Sequence, residues 1–238
     1  MNDDAMDMTS MEMTSPGWLT PVSWIFVALG IISAALVLYD IFGRGNRQPN
    51  AAMNMVWPIS ALYLGLFGVW AYNRWGKTRS NGPEGLRAQP EKDLNARTVA
   101  GSTPGGAAAT VGHFIGVPLV VASGLTIAGT NLWVLIIVIA LLAIGLLFVF
   151  EYFFVSTADR HNPTGKRVGI ALLTAVVTVL AFDIGMGGWM LAMHFGNFMP
   201  APTDVSFFFL MQIGLVLGFL TAYPAVRSLI QRRNKVNA

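Results

Sequence analysis

MNMVWPISALYLGLFGVWAYNRWG, residues 53–76, begins with twenty residues, Met53–Tyr72, that carry no charged side chain. A helix rises 1.5 Å per residue, so about 20 apolar residues cross a hydrocarbon core of roughly 30 Å. By length the run reads as a complete membrane span, kinked at Pro58. Five other runs satisfy the same criterion: Trp18–Phe42, Ala107–Gly129, Leu132–Phe154, Val168–Phe195 and Val205–Val226. The expectation is an all-α membrane protein, a six-transmembrane-helix bundle.

Composition agrees. Of 238 residues, 54% are hydrophobic and 11% charged, less than half the charged share of about 25% usual in soluble domains. The net charge of +3 does not point to nucleic acid, because the basic residues stand in loops and at the C-terminus, as orientation signals do. With no cysteine, thiolate ligands, disulfides and cysteine nucleophiles are excluded. The first run follows an acidic segment and is too long for the core of a cleaved signal, so it reads as a retained helix.

Polarity divides the chain into five parts: an acidic, Met-rich tail (1–17), a two-helix part (18–73), a basic flexible linker (74–104), a four-helix part (105–226) and a basic tail (227–238). Six spans with both termini cytoplasmic place 13 of the 15 Lys and Arg residues inside, leaving Arg44 and Arg47 outside. Those two arginines, and the N-terminal tail without any basic residue, pull against that arrangement.

The tail itself, with AMDMTSMEM at 5–13, holds five of the twelve methionines. Thioethers suit Cu(I), but on the cytoplasmic side thiols outcompete them. The aromatic-free acidic run has little reason to fold and reads as a disordered tail.

Polar residues within spans are costly, so each needs a reason. Asp183 stands about 22 Å along its span, with Gln212 about 10 Å and Tyr63 about 15 Å along theirs, which places all three in one layer as a candidate polar intramembrane site. Above Asp183, Met186, Met190 and Met193 share a helix face with His194 one step off, a soft donor set suited to Cu(I). The competing explanation is that methionine is a flexible core filler. His113 is a candidate proton relay near the cytoplasmic start of the third span. No hydrolase, nucleotide-binding or zinc-protease motif is present, so no catalytic residue is assigned.

MNMVWPISALYLG at 53–65, GLTIAG at 124–129, GWMLAM at 188–193 and MQIGLVLGFLTAYP at 211–224, with the segment Asp40–Gly76, resemble the DUF4396 family of bacterial membrane proteins. The resemblance implies a multi-pass protein of the bacterial cytoplasmic membrane and no established activity. Many members carry a His-Cys-Gly-Ala-Gly-Cys-like stretch that aligns with PGGAAA at 104–109, followed by an acidic position that aligns with His113. This chain lacks those side chains. Two functional expectations follow: a transporter or copper-handling component centred on Asp183, or a non-catalytic scaffold or assembly factor. The scaffold would dock a protein partner through the basic linker, the lipid bilayer being the common partner of both.

Overall fold

The computed structural model describes residues 16–48, 50–77, 94–155 and 163–236. Regular structure among them is helical: α1 (Leu19–Leu38), α2 (Met53–Leu64), α3 (Leu66–Ala71), α4 (Leu94–Ser123), α5 (Leu132–Phe150), α6 (Thr164–Phe195) and α7 (Val205–Val236). Single π-helical turns extend α1 to Gly43, α3 to Gly76 and α5 to Val155. Five helices are long and apolar enough to cross a membrane: α1, α4, α5, α6 and α7. Their outward faces carry large apolar side chains such as Leu141, Leu173 and Ile184. In water such a belt would be untenable; against lipid it needs no cover. The chain is a multi-pass membrane protein.

The expected second span is not a span. At Gly65 the backbone turns through φ 56°, ψ −135°, a region open to glycine and strained for any L-residue. The helix reverses there instead of continuing. A methyl group on Gly68 would stand 2.7 Å from Ala61 Cα, and one on Gly76 would strike the Trp57 indole. Trp57 also meets Tyr72 edge-on, with ring centroids 5.7 Å apart. These pairs, 61 with 68 and 57 with 72 and 76, make α2 and α3 the antiparallel arms of a helical hairpin. Glycines on the inner side of α3 let the arms touch.

The hairpin tip stops halfway along α1. Its Leu62 carbonyl lies against Gly30, which is 11 residues from Leu19 and 13 from Gly43, the two ends of that helix. The base returns to the end of α1 from which α2 started. There the Asp40 carboxylate accepts hydrogen bonds from Lys77 Nζ (2.8 Å), the Tyr72 hydroxyl (2.9 Å) and Asn46 Nδ2 (3.1 Å). Arg44 adds a looser contact at 3.6 Å. The six-span bundle is therefore corrected to five long helices plus one re-entrant hairpin. The start of α1 and the end of α7 stand at opposite ends of this arrangement.

Helix order confirms the register. Phe26 meets Phe209 in a tilted ring contact, with centroids 5.0 Å apart, and Gly30 meets Gln212, so α1 and α7 run parallel. Gly214 receives Met186, and Gly218 receives Phe182, so α6 and α7 are antiparallel. Gly112 and Gly116 both abut Ile139, seating α4 on α5.

The start of α4 lies thirteen residues before the expected Ala107. Leu94–Pro104, read as linker, is helical, and Ala96, Thr98, Val99, Ser102, Thr103 and Pro104 are buried. Its low hydropathy hides a segment whose hydroxyls satisfy the helix itself. Thr98 donates to Leu94 O (2.7 Å), Ser102 to Thr98 O (2.9 Å) and Thr103 to Ala100 O (2.8 Å), the carbonyl that Pro104 leaves without its usual donor. Asn95 Oδ1 accepts hydrogen bonds from Tyr223 and Arg227, tying this end of α4 to α7. The Met-rich stretch 1–15 and most of the expected linker, 78–93, lie outside the described residues.

Candidate functional site

A helix that ends inside the bundle leaves its last carbonyls without amide partners, and hydrocarbon offers none. One of them is the Leu62 carbonyl. It is met from α7 by the Gln212 side chain, whose Nε2 donates at 3.0 Å. A side chain on Gly30 would displace that amide, so α1 carries glycine at the crossing. Gln212, Leu62 and Gly30 thus form a three-helix junction at the hairpin tip.

Two cavities flank the junction. The larger, about 710 Å³, descends between α1, α4 and α7 from Pro202, Thr203 and Trp24 to Leu62, Tyr63 and Gln212. The smaller, about 380 Å³, lies across the tip against Phe26, Leu29 and Leu64–Phe67. Tyr63 and Gln212 line both. The hydrogen-bonded tip is therefore the wall between them.

Thr110 and His113 are the polar residues that α4 contributes to the larger cavity. Gly106, Thr110, His113 and Val117 follow one another at four-, three- and four-residue steps and share a face. Tyr63 packs its hydroxyl against Gly106, where a methyl group would overlap it. That hydroxyl is buried beside Ser60 and makes no hydrogen bond of regular geometry. The imidazole of His113 lies back along the helix, its Nδ1 2.8 Å from Ala109 O. A carbonyl only accepts, so Nδ1 carries the proton, and His113 Nε2 is left buried and unpartnered. Thr110 donates its hydroxyl to Gly106 O (2.8 Å).

The sequence-predicted residues divide. Tyr63 and Gln212 come together; Asp183 lines neither cavity. It is half-buried on α6 and makes no hydrogen bond or ion pair with another described residue. Met186, Met190 and Met193 are buried in the core, Met186 against Gly214 of α7. Helix packing accounts for their spacing without a ligand. His194 stands off that face, edge-on to Phe195 at 5.3 Å. His113 moves furthest from expectation: 19 residues beyond Leu94, it lies roughly 28 Å from the start of its helix rather than near it.

Two participants were missed. Gly106 was marked only as part of PGGAAA, the stretch aligned with the family's Cys/His element. Asp40, 8% exposed, holds the hairpin base, but a six-span reading puts Asp40 and Lys77 on opposite membrane faces and forbids their pairing.

Neither a curated protein nor a solved structure matches the chain. A family model described as Domain of unknown function (DUF4396) matches residues 95–235, the whole of α5 and α6 and nearly all of α4 and α7. The match excludes Asp40–Gly76, which contributed to the resemblance, and includes the three later motifs. It covers well over half of the 238 residues, and on that ground the chain belongs to the DUF4396 family.

Proposed function

We propose that this protein is a small-molecule transporter of the bacterial cytoplasmic membrane, with the larger cavity as its substrate site and the hairpin tip as its barrier. The observation that carries this reading is the helix break at Gly65, halfway through the bundle, between two cavities that share Tyr63 and Gln212. Broken helices at mid-membrane depth are tolerated where they are buried in protein or line a cavity, and transporters place substrate sites beside them.

Orientation follows from charge. Among the described residues, Arg44, Arg47, Arg74, Lys77, Arg97, Lys166, Arg167, Arg227 and Arg232 all belong to one end of the five-helix arrangement. No described Lys or Arg stands at the opposite end. The basic end is cytoplasmic, which puts the N-terminus and the mouth of the larger cavity outside. The two arginines that conflicted with a six-span topology are thereby accommodated.

The test is growth of cells expressing the parent or Gly65→Ala at equal membrane abundance, across a panel of small lipophilic inhibitors and metal salts. The parent is expected to change sensitivity to at least one compound, and the variant to abolish that change. Indistinguishable profiles across the panel would remove the transport reading.

A further inference from the structure

We infer that the larger cavity binds a neutral, long-chain alcohol, its hydroxyl seated on His113 and Tyr63. The inference deepens the proposed function and rests on the cavity being a binding site. None of the nineteen lining residues is Asp, Glu, Lys or Arg. A charged ligand would therefore leave water without a counter-charge, at a cost that low-dielectric surroundings make large. The same absence leaves the His113 imidazole neutral, since no carboxylate in the lining holds an imidazolium.

The two atoms left without a regular hydrogen bond define the head group. His113 Nε2 is an acceptor waiting for a donor, because Nδ1 is committed to Ala109 O. The Tyr63 hydroxyl has a proton to give. Its contact at Gly106 and the Ala109 carbonyl that orients His113 are three residues apart, about 4.5 Å along α4. An alcohol hydroxyl satisfies both atoms at once, donating to Nε2 and accepting from Tyr63. A ketone or ester can pair only with Tyr63 and leaves Nε2 orphaned; a carboxylate meets the Nε2 lone pair with negative charge; a hydrocarbon pairs with neither. Trp24, Phe114 and Phe208 supply the apolar wall above for the chain, and a volume of about 710 Å³ is of the size that accommodates a small organic ligand.

The experiment uses the purified full-length chain in lipid nanodiscs and a ten-carbon alcohol bearing a mid-chain diazirine. Crosslinked residues are mapped by mass spectrometry, with 1-decanol, 2-decanone, decanoate and decane as competitors. Crosslinks are expected on cavity residues, with decanol competing at about tenfold lower concentration than the ketone, decanoate or decane. His113→Phe should erase that preference, while His113→Gln, which restores an acceptor, should keep part of it. Thermal unfolding of each variant checks that it is folded. If the ketone or decanoate competes as well as decanol, or if His113→Phe keeps the preference, the alcohol assignment is overturned while the site stands. If no competitor displaces the probe, bulk lipid chains fill the cavity and the site itself is overturned.

Discussion

Lys77 Nζ lies 2.8 Å from Asp40 Oδ1. The two residues stand near the C-terminal ends of different helical segments, and the contact places the C-terminal end of α1 and the return arm of the hairpin at one end of the bundle. Asp40 is 8% exposed, so its charge is compensated by a cluster rather than by water: Lys77, Tyr72, Asn46 and the more distant Arg44.

Breaking that cluster should loosen the hairpin. Asp40→Asn is expected to cost about 2 kcal/mol, below the range for fully buried pairs because the Lys77 side chain keeps some solvent contact. A double-mutant cycle with Lys77→Met, read by thermal unfolding in detergent, should show the two changes to be strongly non-additive. Simple additivity would mean that the pair does not hold the base.

Gly65→Ala tests backbone strain in isolation. No atom lies within 4 Å of the added methyl, so the expected loss of about 1–3 kcal/mol comes from the left-handed φ alone. Gly145→Ala, on an open helical surface of α5, serves as the contrast and should be neutral or up to about 1 kcal/mol more stable. Equal effects of the two would contradict the turn.

Gly106 and Tyr63 form a testable fit. Gly106→Ala alone should destabilise, because the methyl group meets the Tyr63 hydroxyl. Tyr63→Phe removes a hydroxyl that makes no hydrogen bond of regular geometry, so it should be neutral or stabilising by about 1 kcal/mol and should partly rescue Gly106→Ala. Unfolding midpoints of the two single variants and the double variant decide it; absence of rescue refutes the contact.

Gln212→Leu should leave the Leu62 carbonyl without its donor. The expected loss is about 1–2 kcal/mol. Faster amide exchange at residues 62–68 than in α4 would locate the loosening at the hairpin tip, and unchanged exchange would argue against the junction.

A reporter that is active only outside the cytoplasm, fused at residue 1, should be active, and the same reporter fused after residue 238 should be silent. Like activity at both termini would restore an even number of crossings and remove the hairpin topology.

Apolar run length was enough to read an all-helical, multi-pass membrane protein, and four of the five crossing helices begin within a few residues of where hydropathy starts them. The exception is α4, whose first turns are small and hydroxylic and pass for linker because hydropathy does not register hydroxyls bonded to their own helix. Tyr63 and Gln212 were recognisable as polar residues needing partners. Depth counting then grouped them with Asp183, because it assumed that each run crosses in full.

Hydropathy reports only that Met53–Tyr72 avoids water, and a span and a hairpin avoid it equally. What separates them is the backbone reversal at Gly65 and the glycine contacts at Ala61 and Trp57 that let two half-helices pack together. The charge pattern already contained the matching constraint, in two arginines and a tail on the wrong side of a six-span arrangement. Membership of the membrane was thus legible from the sequence, because it depends on composition along each run. The path within the membrane was decided by tertiary structure, because it depends on which helix faces can approach and which freed carbonyl finds a donor.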